Sequence, residues 1–512
     1  MLKMIRGSLK IMLVGILLFL SAISIIETQR RGREAFSEIM NGAPIYKEND
    51  NVLIHIMAII LLIMLFLGIK SIVRKNAHIS DFLSKYHKLI QVGIAVLTGV
   101  VSFLIFLGGT RTPIADQIQV YSAALYFNED NYINLSKGGY VMMYPQQLGY
   151  ILYMQLVLKL SGGQFGFQIL QVINIFFIMG IVYFASCFID DLTDDVVTRL
   201  LGSLLFLGLL PLQLLGTWVY GDIPFYFFLF LFLHYFSILD KKKIKYAIIS
   251  ILAAIFCLIF RQHALIFLLA ILLVSVVSYF ECRNKWILFV GILSFILPLF
   301  VTAGIERMYS LKSGYEIEGG IPSVAWITMG TIEGDSKPGW FNNYCVPLFY
   351  ANDCDRELTQ EKALEQLKVQ LSGFVKNPIG AVSFYKRKIC TQWNAPYFNT
   401  EQLIEVDEGE SIKGLSEFIA EHEENILVYL SILQSIVYLG TVLYFLKKSY
   451  KGKFAETLPE MFILGGFLFS IIWEANARYV FTYFLVMLPL AVVGWNSAAV
   501  FLKNKIILKK IT

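Results

Sequence analysis

Four short polar segments interrupt an otherwise apolar chain, and each sets an ionisable side chain beside the end of an apolar run. The first, Thr110 to Pro145 (TRTPIADQIQVYSAALYFNEDNYINLSKGGYVMMYP), follows the run Leu89–Leu107 and carries Asp116, then Glu129 and Asp130, then Tyr140 and Tyr144. The second is Tyr220-Gly221-Asp222-Ile223-Pro224, the third Phe260-Arg261-Gln262-His263-Ala264, and the fourth Trp473-Glu474-Ala475-Asn476-Ala477-Arg478-Tyr479. An acid at the mouth of a membrane helix is costly to desolvate, so its presence there points to function. Singly, each segment has a plainer explanation. Asp222 reads equally well as a helix N-cap, Arg261 as a cation snorkelling to headgroups, and Glu474 with Arg478 as a pair one helical turn apart.

Together they match one chemistry. A carboxylate accepts the proton of an acceptor hydroxyl, while guanidinium groups, whose planar fork fits phosphate oxygens, hold a phosphate leaving group. On this reading Asp116 and Asp222 are the catalytic candidates, and Arg261, His263 and Arg478 bind the donor phosphate. Tyr140, Tyr144, Glu129, Asp130 and Glu474 line the substrate site, beside apolar helices that grip an isoprenoid tail.

The elements that must position these groups are membrane helices. Of 512 residues, 57% are hydrophobic and 16% charged, which excludes a soluble globular enzyme and places most of the chain in lipid. Apolar runs predict an all-α polytopic protein with twelve spans: Ile11–Ile26, Val52–Ile69, Leu89–Leu107, Phe165–Ile189, Leu200–Leu215, Phe225–Phe236, Tyr246–Phe260, Ala264–Phe280, Trp286–Val301, Ile426–Phe445, Met461–Trp473 and Tyr479–Val493. Several are shorter than the roughly 20 residues a full crossing needs. Clusters at Lys241, Lys242, Lys243 and Lys245, at Arg283 and Lys285, at Lys447, Lys448, Lys451 and Lys453, and at Lys503, Lys505, Lys509 and Lys510 share the side of the N-terminus. That side is therefore cytoplasmic, with both termini inside a cell membrane. Arg30, Arg31 and Arg33 fall outside against this rule, softened by Glu34, Glu38, Glu48 and Asp50 in the same loop.

The chain divides into residues 1–87 (two helices and a cytoplasmic linker), 88–303 (a helical core with the outer loop 110–164), 304–425 (an outer, mostly helical region) and 426–512 (the last helices). The outer region is read as a cap that selects the acceptor or, equally, as a helical lid packed on the outer loop; it contains an amphipathic helix over Leu358–Gly373 and the basic stretch Lys386, Arg387, Lys388. The six cysteines form no CxxC or Cys/His cluster, so a structural zinc is not expected. Cys345 and Cys354 pair or stay free thiols. No nucleic-acid signature and no internal repeat is present.

The order of these features resembles the GT-C superfamily of integral-membrane glycosyltransferases, and within it the protein-mannosyltransferase and aminoarabinose-transferase branch. Asp116 matches the acid in the first large outer loop, Tyr144-Pro145 the Tyr-Pro segment, and Asp222-Ile223-Pro224-Phe225 the second acid before a Phe-rich helix. Arg478-Tyr479 matches the Arg-Tyr pair opening the last helix, whereas Arg261-Gln262-His263 resembles the family's basic turn without its Pro or Gly. Gly319–Phe398 resembles the outer region of glycosyltransferase-39-like proteins of Gram-positive bacteria. The resemblance covers most of the chain after Leu89 and leaves the first two helices outside the pattern. It implies a polyprenyl-phosphate sugar donor, transfer with inversion to an extracytoplasmic acceptor (glycan, teichoic acid, lipid or protein), and, in some members, a divalent cation. Mg or Mn would then be held by Asp116 with Glu129 or Asp130 through oxygen ligands. The rival readings are a transporter or flippase of lipid-linked saccharides, or a ligase; the first would spread charges along a path.

Overall fold

The computed structural model describes residues 2–31, 45–162, 165–239, 242–334, 337–404, 412–447 and 457–511, with backbone alone at 2–6 and 504–511. The expected basic and acidic positions Arg33, Glu34, Glu38, Lys241, Lys448, Lys451 and Lys453, and the side chains of Lys505, Lys509 and Lys510, lie outside the described residues.

The chain is a helical multi-pass membrane protein. Two helices open it, α1 (Leu2–Ile26) and α2 (Val52–Lys75), followed by α3 (Ala77–Gly108). The outer loop then supplies α4 (Asp116–Asn128), α5 (Tyr140–Met143) and α6 (Leu148–Leu160). The core continues with α7 (Gly166–Leu192), α8 (Val196–Leu207), α9 (Leu210–Leu214), α10 (Asp222–Ser237), α11 (Ile244–Phe260), α12 (Ala264–Cys282) and α13 (Lys285–Ser313). An outer region holds α14 (Ser323–Met329), α15 (Cys345–Ala351), α16 (Arg356–Lys376) and α17 (Pro378–Trp393). The short α18 (Leu415–Glu421) leads to α19 (Glu423–Lys447), α20 (Leu458–Ile472) and α21 (Ala477–Ile511).

Among the described residues eight helices are long and apolar enough to cross a membrane, fewer than the twelve expected. The run expected as one span over Leu200–Leu215 is broken: α8 and α9 meet at a bend of 53°. Pro211, in the first turn of α9, has no N–H to continue the preceding helix. Three further apolar helices, α10, α11 and α20, have only 16, 17 and 15 residues. Each is bounded by one of the polar segments singled out above: α10 begins at Asp222, α11 ends just before Arg261, and α20 ends two residues before Glu474. Their brevity is the geometric cost of bringing charged groups in from the membrane edge.

The helices with no place in the resemblance are joined by something an all-α expectation missed, an antiparallel hairpin of β1 (Glu27–Arg31) and β2 (Ile45–Asn49). Its charges neutralise one another: Lys47 pairs with Glu27 at 2.5 Å and Arg30 with Glu48 at 3.3 Å, Arg30 also reaching Glu424 at 3.6 Å. Arg30 is thus paired with acids of its own hairpin and of α19. Ile45 packs with Trp340, Ala475 and Ala477, so the hairpin braces the segment that carries Glu474 and Arg478.

The outer region is bolted to the helices rather than loosely laid over them. Lys388 of α17 is fully buried, and its ammonium donates to the carbonyls of Gly330 (2.5 Å), Ile471 (2.9 Å) and Trp473 (2.7 Å). Trp393 Nε1 donates to Ser470 Oγ at 2.9 Å, and Ala475 N to the Gly339 carbonyl at 2.7 Å. On its other flank Tyr350 donates to the Gly138 carbonyl at 2.8 Å, and Lys137 pairs with Asp353 at 2.6 Å. The expected amphipathic helix is α16, which buries only Thr359 and Ala363. All six cysteines are free thiols, including Cys345 and Cys354.

α19 and α21 cross at glycines, because only a missing side chain lets two backbones approach this closely. A Cβ at Gly494 would lie 1.9 Å from the Gly440 carbonyl oxygen. Gly494→Leu is therefore expected to destabilise the fold by about 1–3 kcal/mol through overpacking, read as a lowered melting temperature of purified protein in detergent. An unchanged melting temperature would mean that the two helices do not approach in this way.

Candidate functional site

The four polar segments converge. Asp116 opens α4 after Ala115, whose φ of 49° turns the chain sharply into the helix. The residue is exposed, yet its carboxyl group is surrounded mostly by protein. Those surroundings push its pKa above the usual carboxylate range, while Arg478, Arg261 and a hydrogen bond from Tyr220 pull the other way. Both arginines thus act on the acid whose position the sequence singled out.

Behind Asp116 lies a buried aromatic floor. Trp218, Tyr220 and Asp222 precede or open α10, and Gly221 between them has φ 85°, a left-handed conformation that glycine adopts at no steric cost. A Cβ there would also meet the Phe260 carbonyl at 2.5 Å. Arg261, at the C-terminal end of α11, reaches across to Asp222 at 3.1 Å, and Trp218 Nε1 donates to the same carboxylate at 3.1 Å. Asp222 is therefore neither the N-cap nor a free catalytic acid. The cap position is Gly221, without a side-chain bond, and the carboxylate is occupied in fixing Arg261. The guanidinium of Arg261 lies 5.4 Å from the Tyr220 ring centre.

Arg478 differs. It is buried, with its guanidinium 4.4 Å from the Trp218 ring centre and 5.6 Å from that of Tyr220. It makes no ion pair with a carboxylate, and its Nε has no hydrogen-bond partner among the described residues. The expected i, i+4 pair with Glu474 does not form because α21 begins only at Ala477, which leaves Glu474 outside the helix. Glu474 is buried, and burial together with Asp116 raises its pKa to about 8, so it is neutral at pH 7. Lys388, across the backbone from it, is lowered to about 7 by burial.

His263 packs on Tyr479, ring centres 4.7 Å apart, and its Nε2 has no partner among the described residues. Burial and the two neighbouring arginines lower its pKa to about 3, so it is not the cation that a phosphate-binding role suggested. Any contact it makes with an anion is a neutral hydrogen bond.

The tyrosines form a chain. Gln147 Nε2 donates to the Tyr220 hydroxyl at 2.9 Å, and the hydroxyls of Tyr140 and Tyr220 are 3.0 Å apart. Either hydroxyl of the Tyr140–Tyr220 pair can donate to the other. Tyr144 packs at a tilt against Tyr140 (ring centres 4.8 Å apart) and against Trp326 of α14 (5.9 Å), which brings α14 beside the tyrosines.

Glu129 and Asp130 are not brought in. They are exposed at the far end of the 13-residue α4, about 18 Å along the helix axis from Asp116, and Asp130 accepts from Tyr132 at 3.3 Å. They cannot share an ion with Asp116, and no group of three His, Cys, Asp or Glu side chains suited to a metal occurs among the described residues. The donor set expected for Mg or Mn does not fit this site.

Residues outside the first expectation complete it: Trp218, Tyr220, Gln147 and Lys388. Trp218 and Tyr220 sat beside Asp222 in the segment already singled out, and an aromatic pair next to an isolated acid was the available signal. Nothing in the spacing of Gln147 marked it, and Lys388 stood out only as part of the basic stretch Lys386, Arg387, Lys388.

A buried ion pair is expensive to break from one side. Arg261→Ala or Asp222→Ala is expected to cost about 3–5 kcal/mol by stranding the partner's charge, whereas the double change Asp222→Leu with Arg261→Met recovers much of it. Thermal unfolding of the four proteins in detergent reads this; additive losses in the double variant would show that the two groups are not a pair. Compared with protein-family models and with curated proteins, the chain matches none.

Proposed function

We propose that this chain is an inverting glycosyltransferase that moves a sugar from a polyprenyl-phosphate donor to an extracytoplasmic acceptor. The observation that carries the reading is an exposed acid, Asp116, whose carboxyl group lies in the field of the buried Arg478, an arginine with no salt bridge among the described residues. An acid beside fixed positive charge is what proton removal from a hydroxyl and departure of a phosphate jointly require. The proposal takes the bent pair α8–α9 and the short helices α10, α11 and α20 as crossings, which gives twelve, with both termini cytoplasmic and the site on the outer face.

The acceptor hydroxyl approaches the anomeric carbon from the face opposite the phosphate. Its oxygen bonds to that carbon as the carbon–oxygen bond to the phosphate breaks, the hydroxyl proton passes to Asp116, and polyprenyl phosphate leaves as an anion. Arg478 is the primary phosphate contact. Arg261, held by Asp222, contributes field rather than a free fork. Tyr140 and Tyr220 set the orientation of Asp116, and Tyr144 with Trp326 offers an aromatic wall to a sugar ring.

Asp116→Asn should abolish sugar transfer by purified protein offered a panel of polyprenyl-phosphate sugars while leaving melting temperature unchanged; near-normal turnover removes Asp116 as the base. Because the reactive form is the carboxylate and its pKa is raised, the parent's rate should rise with pH through a window above the usual carboxylate range and then level. Movement of the donor across a sealed vesicle without transfer would favour the flippase alternative.

Arg478→Ala should weaken donor binding by about 2–3 kcal/mol, the worth of charge-assisted hydrogen bonds to a phosphate, with Arg478→Lys intermediate. Unchanged donor affinity in both would refute the phosphate role.

A further inference from the structure

A second set of unabsorbed basic residues lies at the opposite end of the helices. α2 runs 24 residues from the hairpin to Lys75, about 36 Å, and Ala499 to Lys503 lie some 32–38 Å along α21 from Arg478. Between the end of α2 and this stretch of α21 is a cavity of about 440 Å³ lined by Leu67, Gly68, Lys70, Ser71 and Arg74 from α2 and by Ala499, Val500 and Lys503 from α21.

The lining has two characters. Lys70 is buried, 6% exposed, and its ammonium is held by Asp195 at 3.1 Å and by Asn496. Asp195 is spent twice over, since it also caps α8 through Thr198 N at 2.9 Å. Arg74 and Lys503 have no carboxylate partner among the described residues, and Lys447 at the end of α19 adds its field to Lys70. Asp194 nearby pairs with Arg199. The cavity therefore carries an excess of positive charge, with the Ser71 hydroxyl beside it. Leu67, Ala499 and Val500 continue from it toward the middle of the helices, and α2 presents most of its apolar surface outward, with only 11% of its most apolar stretch buried.

We propose that this cavity binds the headgroup of an anionic phospholipid, with the phosphate on Arg74 and Lys503 and the acyl chains along the exposed face of α2. A basic pocket between helix ends, opening onto an apolar face, is suited to a ligand that is anionic at one end and hydrocarbon at the other. A soluble anion would use the charges but leave the apolar track idle. The bound lipid would tie α2, which makes little contact with the bundle, to α21, whose first turn bears Arg478. The inference does not depend on the glycosyltransferase proposal.

The test uses the purified full chain in detergent, titrated with short-chain phosphatidylglycerol, short-chain phosphatidylcholine or inorganic phosphate, with bound lipid counted by native mass spectrometry and stability read by melting temperature. Phosphatidylglycerol should bind and raise the melting temperature of the parent, phosphatidylcholine should not, and Arg74→Gln with Lys503→Gln should weaken phosphatidylglycerol binding about thirtyfold, roughly fivefold for each cation removed. Arg74 lies in the last turn of α2 and Lys503 eight residues before the end of α21, and neither has a carboxylate partner among the described residues, so the variant is expected to fold. Equal binding of phosphatidylcholine, undiminished binding by the double variant, or the full effect from inorganic phosphate alone would each overturn the proposal.

Discussion

Everything near Asp116 depends on keeping charge inside a low-dielectric body without stranding it. Four ionisable groups solve the problem differently. Arg261 and Asp222 satisfy each other. Glu474 and His263 give up their charge, one by holding a proton to about pH 8 and the other by releasing it down to about pH 3. Among the described residues of the cluster, Asp116 and Arg478 remain, a carboxylic acid and a guanidinium cation that no salt bridge holds, with Arg478 lying on the rings of Trp218 and Tyr220. The energetic logic is that the costly groups are few, and their neighbours exist to make them affordable.

The same constraint shapes the helices. A charged segment cannot be carried to the protein's interior on a helix that spans the full hydrocarbon thickness with its ends in headgroups. α10, α11 and α20 stop early, and the turns at Gly221, Arg261 and Glu474 sit where helix would otherwise continue. Backbone groups left open by the early stops are met from elsewhere: Lys388 takes the Ile471 and Trp473 carbonyls, and Asn174 Nδ2 donates to the carbonyls of Gly216 and Trp218 at 3.3 and 3.1 Å.

How much of this was legible beforehand follows from what each signal measures. Hydropathy reports apolar surface, so it marked where apolar helices lie but not where they end: α3 begins twelve residues before the expected Leu89, α13 runs twelve past Val301 and α21 eighteen past Val493; nor could it report the break at Pro211 or the hairpin of β1 and β2, whose strands are polar and five residues long. Isolated charges beside apolar runs marked Asp116, Asp222, Arg261, His263, Glu474 and Arg478, and all six meet. Glu129 and Asp130 were grouped with Asp116 because they are close in sequence, but a rigid helix between them turned closeness along the chain into separation in space. The roles within the cluster were beyond reach, because whether Asp222 is free or bound depends on Arg261, 39 positions away, choosing it as a partner.

The three-carbonyl grip of Lys388 has a mechanical corollary. With one ammonium fastening α17 to the ends of α14 and α20 simultaneously, and Trp340 bridging to Ala475 beside it, the outer region cannot hinge away from that flank without breaking several bonds at once. The Tyr140–Tyr144 turn is fastened as well, since the Met143 carbonyl accepts from Ile321 N at 3.2 Å and Tyr350 holds Gly138, so the region is pinned at both flanks and travels with the helices it covers.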